Sequence, residues 1–213
     1  MGMLTTIVLA AVLLGAAAPA SKTEVLSSLQ AWLDGTRTLE LRFRQSLVSS
    51  SLGTTVTESG RLYLERPGKM RWDYLNPEKK TALLLGDRTI LYLEDERTMS
   101  RGRLSPEQGL FPRLLAGGSR IEELFAGTLV AIPTTGGRGD YRLRLVPKAD
   151  PGSASAVTLT LRSPAFSIEE AELIDETGNR TIYTFADVKR NRKLPDAVFG
   201  FEPPPGTEIV DER

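Results

Sequence analysis

The segment Gly60-Arg61-Leu62-Tyr63-Leu64-Glu65-Arg66-Pro67-Gly68-Lys69-Met70-Arg71-Trp72-Asp73-Tyr74 reads as two short strands joined by a tight turn. Leu62 and Leu64 alternate with Arg61, Tyr63 and Glu65, a period of two that gives each set its own face of a strand. Arg66-Pro67-Gly68-Lys69 breaks the run. Proline supplies a fixed φ and glycine a positive one, which suits a type II turn. Met70, Trp72 and Tyr74 then share one face, with Arg71 and Asp73 on the other. The pattern predicts a β-hairpin with one apolar face.

The same rhythm extends both ways. Upstream, Leu39, Leu41, Phe43 and Leu47 alternate with Glu40, Arg42, Arg44 and Ser46. Downstream come Ala82 to Leu85, a turn at Gly86-Asp87-Arg88, and Ile90 to Leu93, where Tyr92 interrupts the alternation. Further strands are expected over Leu129–Ile132, Tyr141–Val146, Val157–Leu161, Ile168–Ile174 and Thr181–Val188. Pro133–Asp140 and Pro147–Ser155 have the glycine, proline and serine of exposed hairpin loops. Pro203-Pro204-Pro205-Gly206 is a rigid lead into a last edge strand, Thr207–Val210. About ten strands and about three helices predict a mainly β fold in one antiparallel sheet. A sheet of that size must close, split into layers or curl around something.

Three helices are expected. Thr23–Asp34 has Thr23 as N-cap and Glu24 at the positive end of the dipole. Its stripe is Val25, Leu26, Leu29, Trp32 and Leu33, and Gly35 closes it. Such a helix serves equally as a core element or as a lid over an apolar cavity. Ser105-Pro106-Glu107 starts a second helix carrying Leu110, Phe111, Leu114 and Leu115, strained by Pro112 and ended by Gly117-Gly118. Ser119 and Glu122 form a capping box for a third, with Ile121, Leu124 and Phe125. These two brief helices between glycines suit a mobile flap as readily as a core.

Composition narrows the chemistry. The chain has 213 residues, 27 basic and 27 acidic, with no cysteine and no histidine. A balanced charge gives no attraction to nucleic acid. Disulfides, thiolate nucleophiles, the usual zinc sites and Ser-His-Asp triads are all excluded. Asp73, Glu94, Asp95, Glu169, Glu170 and Asp175 read as solvated charges at turns or on polar faces. No nucleophile elbow, Walker loop or dinucleotide fingerprint occurs. No catalytic residue, metal or cofactor is expected.

Leu4 to Ala18 is a run of aliphatic and small residues, followed by Pro19-Ala20-Ser21. It reads as the apolar region of a signal peptide cut after Ala18 or Ala20, although Met1-Gly2-Met3 lacks the usual positive charge. About 15 apolar residues fall short of the roughly 20 needed to span a bilayer. Residues 1–20 are therefore expected to be removed, leaving one exported domain over 21–213.

The pattern Gly-x-Leu-x-x-x-Arg-Pro-Gly-x-x-Arg-Trp-Asp-Tyr resembles the signature hairpin of the outer-membrane lipoprotein carrier (LolA) family. Asp175-Glu176-Thr177-Gly178-Asn179, Thr184-Phe185, Asn191, Leu194, Phe199-Gly200-Phe201, Pro205-Gly206 and Ile209-Val210 follow in that family's order and spacing. The resemblance implies an incomplete barrel, a curved antiparallel sheet whose concave side is covered by helices. Between them lies a cavity for acyl chains. It implies a periplasmic monomer that carries lipoproteins from inner to outer membrane. An ABC-type transporter would load it, and an outer-membrane acceptor would receive the cargo. It also implies that Arg66, before Pro67, sits at the cavity mouth, bonds to lid backbone and is needed to pass cargo on. Met70, Trp72 and Tyr74, with Leu62, Leu64 and Phe43, would face the cavity or the core beneath it. Leu29, Trp32, Leu33, Leu110, Phe111, Leu114, Leu124 and Phe125 are the candidate lid residues. The same architecture would also serve a carrier of glycolipid or phospholipid, or a lipid-binding module that senses envelope stress.

Burying a methylene is worth about 0.8 kcal/mol, so a fifteen-carbon chain is held in a membrane by about 12 kcal/mol. A carrier therefore needs an apolar pocket of comparable depth that can open. Arginine donates several hydrogen bonds from one planar fork, which suits it to holding a helix end reversibly.

Overall fold

Twelve strands hydrogen-bond into one sheet in the computed structural model, which describes residues 20–104, 110–116, 120–131, 140–148 and 156–212. The chain begins with α1 (Lys22–Asp34), β1 (Thr38–Val48), β2 (Thr55–Glu65), β3 (Lys69–Asn76), β4 (Lys80–Leu85), β5 (Arg88–Leu93) and β6 (Thr98–Arg103). Two short helices follow, α2 (Leu110–Ala116) and α3 (Ile121–Leu124). The remaining strands are β7 (Phe125–Ala131), β8 (Asp140–Pro147), β9 (Ala156–Arg162), β10 (Ser167–Ile174), β11 (Arg180–Arg190) and β12 (Glu208–Asp211). Across the sheet the order is β12-β6-β5-β4-β3-β2-β1-β11-β10-β9-β8-β7. The mainly β expectation is met. The expected leader lies outside the described residues except for Ala20, as do the starts of the second and third expected helices and nearly all of the two expected loops. Among the described residues no helix is long and apolar enough to cross a membrane.

The hairpin of β2 and β3 forms, but without the expected type II turn, because Glu65 pairs with Lys69 across a three-residue connection. Leu62 pairs with Trp72 and Leu64 with Met70, and Gly68 takes a φ of 74° in the connection, where the Arg66–Pro67 peptide is cis. β1 lies between β2 and β11, with Phe43 opposite Gly60 on one side and Phe185 on the other. The end of its pattern differs from expectation. Gln45 is buried and Leu47 is 37% exposed, because the covered part of the concave face ends between them.

One apolar core fills the concave side. It joins Val25, Leu26, Leu29, Trp32 and Leu33 of α1 to Leu39, Leu41, Leu62, Leu64 and Met70 of the sheet's middle. Leu143, Leu145, Val157, Leu159 and Leu161 of β8 and β9 complete it. α1 starts earlier than expected. Ser21, rather than Thr23, is the N-cap, and Ser21 and Glu24 form a reciprocal capping box. Gly35 ends the helix at a φ of −74°, so it is not a left-handed cap. A Cβ there would come within 2.6 Å of the Arg190 guanidinium, the movable end of a long side chain, and 3.2 Å from the Ala31 carbonyl oxygen. At α3, the Arg120 N–H donates to the Glu123 carboxylate at 3.1 Å, one residue beyond the expected Glu122. Phe125 belongs to β7, where it is 2% exposed, and not to a lid helix.

Two further departures lie at the sheet's other end. Thr98–Arg103, not expected as a strand, forms β6: its only large apolar residue, Met99, gives no alternation to read. β12 pairs with it in parallel, so the sheet is not wholly antiparallel. Both serve a second, smaller core on the convex side. Leu83, Tyr92 and Met99 are buried there with Leu194 and Phe199, and the Phe201 ring lies 5.1 Å from that of Tyr92. Tyr92 breaks the alternation because it serves this core and not the concave one. Arg71 fastens the covering segment by donating to the carbonyls of Val198 at 3.0 Å and Gly200 at 3.2 Å.

Candidate functional site

The concave face of β3–β6 is not filled by α1. It borders a cleft of about 400 Å³ lined by Met70, Trp72, Tyr74, Leu84, Leu91 and Leu104 on the near side. Phe111 and Pro112 of α2, with Leu173 and Tyr183, form the far wall. The volume lies within the range of about 300–1,000 Å³ typical of pockets that enclose small ligands. A larger depression of about 590 Å³, lined by Arg42, Arg44 and Arg61 together with Leu75 and Ala186, lies apart from the helices.

Aromatic rings tie the cleft together. Phe43 meets Trp72 edge-on at 4.8 Å and Tyr74 at 5.0 Å, and Trp72 lies 5.3 Å from Tyr183. Tyr183 stacks on Phe111 of α2 at 5.8 Å and on Phe185 at 6.3 Å. The modest aromatic content of the chain is thus concentrated where α2 meets the sheet. Such ring pairs add about 0.5–1.5 kcal/mol each beyond the area they bury.

Arg66 stands at the turn end of this cleft. Its Nε donates to the Leu115 carbonyl at 2.9 Å and its Nη1 to the Leu33 carbonyl at 2.6 Å, with Nη2 at 3.4 Å from the Leu114 carbonyl. These oxygens belong to the last turns of α2 and α1. The final carbonyls of a helix have no partner within it and carry the negative end of its dipole. One cation therefore satisfies two helix ends at once. Burial lowers the guanidinium from its usual value, and the nearby Asp34 carboxylate opposes that shift. Arginine remains charged in either case.

The opposite end of the cleft is polar and internally satisfied. The Tyr74 hydroxyl donates to Gln45 Oε1 at 2.9 Å, while Lys80 pairs with the buried Glu58 and lies 4.4 Å over the Tyr74 ring. Burial raises the Tyr74 hydroxyl well above its ordinary value and pushes Tyr183 up to about 12, with Glu58 adding to both. Both phenols are neutral at physiological pH. Among the described residues no cluster of acidic groups could hold a metal ion.

The site residues expected from the sequence are partly brought together. Met70, Trp72 and Tyr74 line the cleft, Phe43 backs it, and Phe111 faces it from α2. Leu62 and Leu64 are fully buried beneath it and do not line it. Leu29, Trp32 and Leu33 of α1 are buried in the core, as is Leu114 of α2. Leu124 ends α3 half-buried, and the Leu110 side chain lies outside the described residues. Tyr183, Phe185 and Leu173 join the site without having been expected there. β10 and β11 carry apolar residues at both parities (Leu173 beside Ile174, Ile182 beside Tyr183), so alternation does not select a face.

The chain has relatives among known proteins. Residues 34–202 match the family described as "Outer membrane lipoprotein carrier protein LolA". The chain belongs to the LolA family. It is 33% identical over 205 residues to the outer-membrane lipoprotein carrier protein of Chromobacterium violaceum, covering 94% of each chain. It is 31% identical over 194 residues to that of Methylococcus capsulatus, covering 91% of this chain and 90% of the relative. In fold it is similar to an uncharacterized conserved protein of Thermus thermophilus, with a TM-score of 0.56 at 13% identity. That match covers 89% of this chain and 98% of the other. The LolA match spans the hairpin, the cleft and the convex core alike.

Proposed function

We propose that this chain is an exported carrier that holds the acyl chains of lipoproteins in the cleft between α2 and β3–β6. It ferries them through the periplasm from inner to outer membrane. The leader over residues 1–20 is removed and residues 21–213 form the carrier domain, which works as a monomer. The observation that carries this reading is Arg66, whose fork joins the ends of α1 and α2 beside an apolar cleft. A ligand entering between Phe111 and the sheet must displace α2 and break those bonds, so binding and opening are one event. The energy for loading then comes from an inner-membrane transporter, and release is to an outer-membrane acceptor. Recovered from the periplasm, the protein should have an intact mass that begins at Pro19 or Ser21. Recovery of the uncut chain in the membrane fraction would count against shuttling.

Ligand binding tests the cleft directly. An environment-sensitive apolar probe should bind, a lipopeptide should displace it, and the lipopeptide should raise the melting temperature by mass action. Met70 is 1% exposed yet borders the cleft. A fully enclosed methionine costs about 2–5 kcal/mol on truncation to alanine. Met70→Ala should fall at the low end of that range while weakening lipopeptide binding about tenfold, near 1.4 kcal/mol. Absence of probe uptake together with a loss at the top of the range would identify a solid core instead.

A further inference from the structure

The hairpin tip between β1 and β2 carries apolar side chains with nothing over them. Leu52 is 76% exposed, Val56 53% and Leu47 37%. Leu47 and Val56 are directly paired and continue the concave face beyond the buried Gln45 and Glu58. The tip is held in shape. Ser49 N–H donates to the Thr54 carbonyl and Gly53 N–H to the Ser49 carbonyl, each at 3.0 Å. Ser50 is tied to the neighbouring β10–β11 turn, its N–H donating to Asn179 Oδ1 at 3.0 Å and its hydroxyl to the Thr177 carbonyl at 2.8 Å. A fixed tip presents its leucine at no further ordering cost.

Its charge is as informative as its grease. From Gln45 to Thr57 there is no Asp, Glu, Lys or Arg, in a chain where such residues make up 25%. The polar groups of that run are hydroxyls and one amide. A tip facing only water has no need to be free of charge, and the charges nearest to it, Glu176 and Arg180, stand on the neighbouring turn and strand and not on the tip itself. The acyl region just below the headgroups penalises ions, while hydroxyls on the flanks can bond to the headgroups. We propose that the β1–β2 tip is a membrane-contact site, at which Leu52, flanked by Leu47 and Val56, enters the interfacial zone of a bilayer. So small an apolar tip gives weak, reversible contact. It lies at the far end of β2 from Arg66, roughly 30 Å away at strand spacing. The contact does not depend on what the cleft holds.

The chain has no cysteine, so Leu52→Cys in the full exported protein takes a single nitrobenzoxadiazole label. With neutral phosphatidylcholine vesicles that label should brighten, shift to the blue and be quenched by nitroxide-bearing lipid. The same label at the exposed Glu96, in the β5–β6 turn, should not respond. Leu52→Ser should lower the vesicle-bound fraction about tenfold while leaving apolar-probe binding in the cleft at its native level. A label at position 52 that behaves like the one at position 96 overturns the proposal. So does a shift that needs no vesicles and grows with protein concentration, which would assign the tip to a second copy. Failure of the cleft itself reads out separately, as loss of probe binding in the unsubstituted protein.

Discussion

Arg66→Leu is expected to bind lipopeptide more tightly than the native chain and to stop handing it on. The three guanidinium contacts are made only while the ends of α1 and α2 lie together. Hydrogen bonds from a charged donor are worth about 1.5–3 kcal/mol each. Competition from water at this half-buried site reduces the set to about 1–3 kcal/mol, a coupling of about 5–150-fold. Those bonds favour the closed arrangement. Without them the helices part at lower cost, so affinity rises by that factor and release slows by a similar one. Leucine adds apolar surface at the same place and pushes in the same direction. Arg66→Lys keeps the charge but lacks the planar fork, and should lie between the two. Equilibrium titration with a fluorescent lipopeptide and its rate of transfer to acceptor vesicles measure both effects. Transfer at the native rate would return Arg66 to an ordinary surface arginine.

Gly60→Ala should be the most damaging single methyl group in the sheet. A Cβ at Gly60 would stand 1.9 Å from the Asp73 carbonyl oxygen and 2.9 Å from the Tyr74 Cα. Both are backbone atoms, so no side chain can swing aside. The register of β2 and β3 shifts here, between Ser59 and Gly60, and the close approach is how the bulge is accommodated. Overpacking of this kind costs about 3 kcal/mol or more. Urea denaturation should show the midpoint falling with an unchanged slope. A variant within about 0.5 kcal/mol of the native chain, as at an ordinary surface site, would mean that the strands part easily at the bulge. Tyr74 pairs with Gly60 at the edge of the bulge, so a folded Gly60→Ala protein should also show altered probe binding in the cleft.

Much of this was legible in the amino-acid sequence. Strict alternation in β1–β3 and the stripe of α1 place their residues because each has one wet face and one dry one. Where a second core covers the far face, as at Leu83 and Tyr92, alternation fails, and β10 and β11 carry apolar residues at both parities, which gives no face to read. Gly60 and Asn191 could be recognised as landmarks, but not explained. The structure supplies the reason for Asn191, whose amide donates to the Gly35 carbonyl while its oxygen accepts from the Arg37 N–H, tying the end of α1 to β11. Arg66 is similar. An arginine before a turn looks like any solvated charge, and only its distant partners, Leu33, Leu114 and Leu115, give it a role. The parallel pairing of β12 with β6 has no local signature at all.

The place of β1 in the sheet has a consequence in time. One of its neighbours, β2, is the next strand in the chain. The other, β11, arrives only after β3–β10, and Val48 must find Arg180 to complete the pairing. Contacts so far apart in sequence make folding slow, because the intervening loop must be closed before any of them stabilises the product. The middle of the sheet is therefore left open until late in the chain, and only the rim pairing of β12 with β6 waits for a later strand. A nascent chain thus stays threadable until β11 has emerged, which would suit the export proposed above.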